Sequence, residues 1–419
     1  MAFPDHRSGD AAFGQYMTQT LRIMQTSVVD HRRAERLRLH LRPVTRSAGA
    51  RMRSSIVAGC AIVALTAAVA GAGTSNDRYF GEQWNLAQIG ASDAWPTSTG
   101  AGVLIGIVDS GVDASHPDLA GKVEASADCR GGTCREGTAR DGDGHGTTVA
   151  GIAAAKTNNG VGIAGVAPDA RLVVARVLDD DGSGVTEDIN RAIQWAVDKG
   201  ARIVNLSLGE PDLVITSRLG TPLRPGIEYA WSRGAIPVLA AGNYEELGGE
   251  GSANYGDLHA LVVGSTDTKG RVPGYSTSLG NAMWGLVAPG GNGDGPGQDI
   301  ISPVPGGRYQ WVAGTSMAAP HVSGALALLL AQGLSPKQAV DRLLGTLDRS
   351  GNCGLGCRGR LDVKAAVTAT AATTPPAAIT TAVLDQPDED LDPLLPGIAF
   401  VLAAVAAVAT LVLWRRRPN

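Results

Sequence analysis

The stretch "VAGTSMAAPHVSG", residues 312–324, sets a serine among small side chains that leave its hydroxyl approachable. A serine attacks a carbonyl only when a base takes its proton and a carboxylate holds that base in the right tautomer. His321 is the nearest histidine, but it is not placed to be that base. In a helix five residues turn about 500°, so His321 lies about 140° around the axis from Ser316. The helix reading puts Pro320 in the first turn, where its missing N–H has no partner to lose, and continues "GALALLL" as a buried helix. Ser316 then sits at a helix N-terminus, where free N–H groups stabilise developing negative charge.

A base must come from elsewhere in the chain. Of the seven histidines, His6, His31 and His40 lie in the N-terminal leader, leaving His116, His145, His259 and His321. His145 stands between Gly144 and Gly146 in "DGDGHGTTVAG", where a substrate backbone could approach, and "TTVAGIAAA" continues as a helix. Asp109 follows the apolar run "GVLIGIV" at a strand end, the edge of a parallel sheet where α/β sites assemble. No G-x-G-x-x-G follows that strand, so a dinucleotide site fits poorly. Asp109, His145 and Ser316 together supply carboxylate, base and nucleophile. Asn243 ends "VLAAGN" and offers an amide as a second donor to an oxyanion.

These residues need a scaffold that brings distant segments to one edge. Between 79 and 366 short apolar runs alternate with helical patterns, which predicts an α/β fold: a mostly parallel central sheet with helices on both faces. Strands are expected at 103–108, 172–177, 203–206, 236–240 and 261–264. A helix is expected over 186–199, with Ile189, Ile193 and Val197 at helical spacing and Gly200 as the stop. Ser335 and Pro336 read as the cap and first residue of a later helix.

With 419 residues, 44% hydrophobic content and 56 glycines, the chain can build one large or two ordinary globular cores. The net charge of -4, with basic residues gathered at the ends, gives nucleic acid no footprint. Arg51 and Arg53 precede an apolar run of signal-peptide length, so 51–73 reads as an export signal after a leader, 1–50, that translation from Met52 would omit. "VAGC", residues 57–60, is the alternative, a lipoprotein cleavage box.

At the other end, 397–414 is apolar and long enough to cross a bilayer, and the basic tail 415–419 predicts a cytoplasmic C-terminus. The Ala-, Thr- and Pro-rich segment 367–396, acidic toward its end, reads as a stalk. Export fits the five cysteines: Cys60 leaves with the signal, and Cys129 with Cys134 and Cys353 with Cys357 form two local disulfides. A four-cysteine zinc site is the alternative.

The order "DSGVD…HPDL", "GHGTTVAG", "NLSLG", "AAGN", "GTSMAAPHVSG" resembles the subtilisin-like serine proteases (subtilases) across nearly all of 79–366. That resemblance implies a subtilisin-like fold and peptide-bond hydrolysis through an acyl-enzyme, with Asp109, His145 and Ser316 as the triad. Asn243 and the Ser316 N–H would form the oxyanion hole. Ser207, Leu208 and Gly209 look like the edge that pairs with an extended peptide, and Leu239, Ala240, Ala241 and Gly242 like a wall of an open specificity pocket. Asp118, Thr157, Asn159, Val161 and Ile163 resemble the family's calcium ligands, an all-oxygen set. The N-terminal ligand of that site is not recognisable in the sequence.

The layout, with a short N-terminal extension, a stalk and a C-terminal membrane helix, resembles the mycosins, which are attached to type VII secretion systems. It implies a single-pass, extracytoplasmic membrane endopeptidase with a polypeptide substrate and a secretion apparatus as partner. The alternative is a scaffold of a secretion complex in which proteolysis is secondary.

Overall fold

The computed structural model describes residues 74–208, 222–243 and 255–370. Gly209, the export signal, stalk residues 371–396 and the apolar run 397–414 lie outside the described residues, whereas Val367 and Thr368 of the expected stalk belong to the last helix of the folded body. Among the described residues no helix is long and apolar enough to cross a membrane.

In chain order the elements are α1 (Trp84–Gln88), α2 (Ala91–Ala94), β1 (Leu104–Asp109), β2 (Val123–Asp128), β3 (Arg135–Glu136), α3 (His145–Ala154), β4 (Arg171–Arg176), α4 (Thr186–Asp198), β5 (Ile203–Leu206), α5 (Arg224–Ser232), β6 (Ile236–Ala240), β7 (Leu261–Thr266), β8 (Trp284–Pro289), β9 (Ile300–Val304), β10 (Arg308–Val312), α6 (Thr315–Ala331), α7 (Pro336–Gly345), β11 (Cys357–Arg360) and α8 (Val363–Thr368). Nine strands form one sheet in the order β11-β8-β7-β6-β5-β1-β4-β2-β3; β9 and β10 form a separate hairpin. Every pairing in the large sheet is parallel except β2 with β3.

Strands buried on both faces need apolar residues at successive positions. In β4, Leu172 and Val174 enter the core beneath α3, α6, α7 and α8, while Val173 and Ala175 enter the core beneath α4 and α5. The expected strands 203–206 and 236–240 are found with those bounds, and the others within a few residues. Gly200, with φ of 93°, follows α4. Ser335 caps α7 in a complete capping box with Gln338.

Strand order reverses at β1, whose neighbours are β4 on one side and β5 on the other. Such a switch point opens a crevice at the carboxyl ends of the strands, and Asp109 is the last residue of β1. Helix α6 is apolar on all sides and buried for nearly its whole length, packed against β5 to β8 and α3.

One expectation about α6 is corrected. The helix starts at Thr315 and includes Ser316, so Pro320 lies inside it, past the first turn. Its missing N–H therefore withdraws the helical donor from the Ser316 carbonyl. Both local disulfides are formed, Cys129 with Cys134 and Cys353 with Cys357.

Candidate active site

Asp109 is fully buried, and its Oδ1 accepts hydrogen bonds from the Ser110 N–H at 2.7 Å and from His145 Nδ1 at 2.8 Å. His145 is the first residue of α3, behind Gly144 at φ 108°. Gly146 has a packing role of its own. A Cβ on Gly146 would lie 2.0 Å from the Gly111 carbonyl oxygen and 3.2 Å from Asp109 Cβ, so only glycine lets α3 meet the Asp109 turn.

Burial alone depresses an imidazole, but the Asp109 charge and hydrogen bond, helped by Asp143 and Asp141, more than offset it and raise His145 to about 9. With His145 Nδ1 held by Asp109, Nε2 is the nitrogen left for a substrate-side proton.

Asp141, buried at the start of the same turn, escaped the sequence reading. Its Oδ1 accepts from Ser110 Oγ at 2.8 Å and from the Gly144 N–H at 2.7 Å, and its Oδ2 accepts from the Thr147 N–H at 2.8 Å and from the Thr147 hydroxyl. One carboxylate thus caps α3 and ties the His145 turn to the residue after Asp109. The spacing "DGDGHGT" carries a signal for it: an acidic side chain just ahead of a helix.

Ser316 is the second residue of α6, a position whose N–H has no acceptor within the helix. Among the described residues its hydroxyl donates to the Ser207 carbonyl at 3.3 Å and not to His145.

Asn243 closes the turn after β6 and is exposed. Its Oδ1 accepts from the Thr315 N–H at 2.8 Å and from Thr315 Oγ1 at 2.9 Å. That fixes the amide with its donor end beside Gly314, whose hypothetical Cβ would lie 3.1 Å from Asn243 Nδ2. Thr315, fully buried and also accepting from the Gly242 N–H at 3.0 Å, is a second residue that sequence reading missed.

The remaining predicted wall residues lie at the same edge, but their side chains do not line an open pocket. Leu239, Ala240 and Ala241 are buried in the two cores, as is Leu208. Ser207 is buried against Ser316 at the end of β5.

His321 is a buried helix residue behind the site, as expected, and burial pushes it down to about 4. Being neutral, it donates from Nδ1 to the Met317 carbonyl at 2.8 Å and accepts at Nε2 from Asn85 Nδ2 at 2.8 Å. His116 is also buried, and its Nδ1 accepts from the Asp118 N–H at 3.2 Å.

The expected calcium ligands surround Asp118. Its carboxylate accepts from Asn159 Nδ2 at 3.1 Å and from the Ile163 N–H at 3.1 Å, and burial holds it above the ordinary carboxyl range against the pull of those bonds. Asn159 Oδ1 accepts from the Val161 N–H at 2.9 Å. Asp77, the acidic residue missing from the sequence reading, accepts the Asn158 and Asn159 N–H groups at 3.0 Å and 2.9 Å on the same loop.

Among the described residues neither Asp77 nor Asp118 forms an ion pair, while Thr157 Oγ1 is buried without a hydrogen-bond partner. Two buried carboxylates bound to one loop, with the orphaned Thr157 hydroxyl on that loop, form an all-oxygen set that suits a hard cation. The residues present fit the group.

A sequence model described as the subtilase family matches residues 100–383. Thermitase from Thermoactinomyces vulgaris is 39% identical over 297 residues, which cover 70% of this chain and 99% of that protein. Subtilisin DY from Bacillus licheniformis is 35% identical over 271 residues, 64% of this chain and 91% of that protein. A solved protease structure from Pseudoalteromonas arctica PAMC 21717 matches with a TM-score of 0.61 at 30% identity, covering 70% of this chain and 98% of that one. A parallel sheet whose switch point carries Asp109 against His145, matched over most of its length by these proteases, places the chain in the subtilase family as a subtilisin-like serine endopeptidase.

Proposed function

We propose that this endopeptidase cleaves its substrate with Ser316 as nucleophile, His145 as base and Asp109 as the carboxylate that orients it. The observation that carries the reading is the 2.8 Å contact of His145 with buried Asp109 on the strand next to the one that brings Ser207 to Ser316. In the first step Ser316 Oγ bonds to the peptide carbonyl carbon and its proton passes to His145 Nε2. The developing oxyanion is met by the Ser316 N–H and Asn243 Nδ2. His145 then returns the proton to the leaving amine, and water releases the acyl group by the same route in reverse. Asp109 stays ionised and offsets the imidazolium charge throughout.

The Ser207–Gly209 segment would pair with the substrate backbone, which supports a polypeptide over a small ester. Asp77, Asp118, Thr157, Asn159, Val161 and Ile163 would hold calcium. When bound, the ion would supply positive charge that pins the N-terminal segment to the 157–163 loop. A fluorophosphonate probe tests the nucleophile: wild type is labelled and Ser316→Ala is not. A folded wild type that resists labelling would overturn the reading.

The apolar run 397–414 with its basic tail supports a single-pass membrane anchor, with the catalytic body outside the cytoplasm and a secretion apparatus as neighbour. Membrane fractionation of the full chain against a chain ending at Ala366 tests the anchor. Equal release of both into the soluble fraction would remove it.

A further inference from the structure

The Ser316 carbonyl lacks its helical donor, because the residue four places on is Pro320. A proline ring inside a helix also crowds the carbonyl four residues back. An unpaired buried carbonyl directly behind the proposed nucleophile would be costly and would leave the first turn of α6 loosely set. The gap is filled by the residue that follows β5, where Ser207 Oγ donates to the Ser316 carbonyl at 2.8 Å.

Ser207 is itself held. Asn205 Nδ2 donates to Ser207 Oγ at 2.9 Å, and Ser323 Oγ donates to Asn205 Oδ1 at 2.8 Å. Asn205 and Ser323 are fully buried. The geometry follows from two periodicities: Asn205 and Ser207 are two apart on a strand and share a face, while Ser316, Pro320 and Ser323 share a face of α6. All three hydrogen bonds run the same way, from Ser323 to Asn205 to Ser207 to the Ser316 carbonyl, so each polarises the next. The Ser316 hydroxyl returns a bond to the Ser207 carbonyl at 3.3 Å, which locks the two residues to each other.

We infer that the Ser207 hydroxyl, backed by Asn205 and Ser323, is a positioning group that substitutes for the N–H missing at Pro320 and sets the height and rotation of Ser316. It acts on the nucleophile through its backbone and touches no reacting atom, and the inference rests on the reading of Ser316 as nucleophile.

A double-mutant cycle on the full chain tests it. Ser207→Ala should lower kcat about tenfold with KM little changed, and slow fluorophosphonate labelling of Ser316 by the same factor. Pro320→Ala restores a backbone N–H opposite the Ser316 carbonyl, so in that background the loss should shrink to about threefold or less. A structural defect unrelated to the carbonyl would persist undiminished in both backgrounds, and an equal loss in both overturns the inference. Should Ser207→Ala fail to fold, Ser323→Ala removes the outer bond: its smaller loss must also shrink beside Pro320→Ala, or the inference falls. Wild type that is not labelled at Ser316 would sink the nucleophile reading instead, so the two failures are distinct.

Discussion

His145 Nδ1 lies 2.8 Å from Oδ1 of Asp109, a fully buried carboxylate whose other oxygen has no hydrogen-bond partner among the described residues. His145 is therefore its main compensating partner, and the pairing raises the imidazole to about 9 against the opposing effect of burial.

A base must be neutral to accept the Ser316 proton, so kcat/KM should climb with pH and level off only above about 9. Asp109→Asn removes the largest raising influence. Its acid limb should move down toward the ordinary histidine value of about 6.5, while kcat falls by on the order of 10⁴ because an amide no longer fixes the tautomer. A pH–rate profile reads both, and a limb that stays in place in the variant counts against the pairing.

The same shift has a consequence for stability. The folded imidazole titrates above its unfolded value, so the pair's contribution is fully present below about pH 6.5 and is lost as pH rises through about 9. Melting temperature should fall across that window in wild type, and less so in Asp109→Asn. Parallel curves for the two proteins would contradict this.

Asp109, His145, Ser316 and Asn243 could be picked out because each lies at or within a few residues of the end of an element with a local apolar pattern, and each sits in a motif of its own. Thr315 and Asp141 were not. Their roles come from bonds to Asn243 and Ser110, partners that adjoin them only after β1, β6 and α6 have assembled. Asp77 was hidden for the same reason, its partners being the N–H groups of Asn158 and Asn159. The Pro320 expectation failed because a helix start was placed by the proline itself. The helix begins earlier, at a Gly314 backbone of φ 149° that no apolar periodicity announces. The short strand β3 and the part-exposed strand β10 have patterns too brief or too exposed to read.

Thr315→Val should weaken the oxyanion site without touching the nucleophile. The valine keeps the volume but loses the hydroxyl that holds Asn243 Oδ1 at 2.9 Å and receives the Gly242 N–H at 3.0 Å. Asn243→Ala should cost about 10²–10³ in kcat, Thr315→Val about tenfold, and the double variant little more than Asn243→Ala alone. Additive losses would show that Thr315 acts by some other path.

Calcium should raise the melting temperature, and a chelator should lower it. At a free ion concentration about 100 times the dissociation constant the gain is about 2.7 kcal/mol. Asp77→Asn and Asp118→Asn should each abolish most of the calcium response, since the two carboxylates grip one loop. A calcium titration followed by thermal melting decides the matter, and a variant that keeps the full response removes its carboxylate from the site.

Asp141 offers the sharpest separation of scaffold from chemistry. Its two oxygens together cap α3 through Gly144 and Thr147 and hold Ser110 beside Asp109. Asp141→Ala leaves those N–H groups and the Ser110 hydroxyl without an acceptor in a buried turn. The expected loss is about 2–4 kcal/mol of stability, a cap lost together with buried donors left unpaired. Asp141→Asn keeps the shape but presents one acceptor oxygen where the site needs two, so it should recover only part of that loss. It also removes a negative charge that helps to raise His145, so its acid limb should shift slightly to lower pH even where the fold is intact. Denaturant midpoints and pH–rate profiles measured on the same samples separate the two effects. An unfolding free energy within about 0.5 kcal/mol of wild type for Asp141→Ala would show that solvent replaces the carboxylate and that the His145 turn is held by other means.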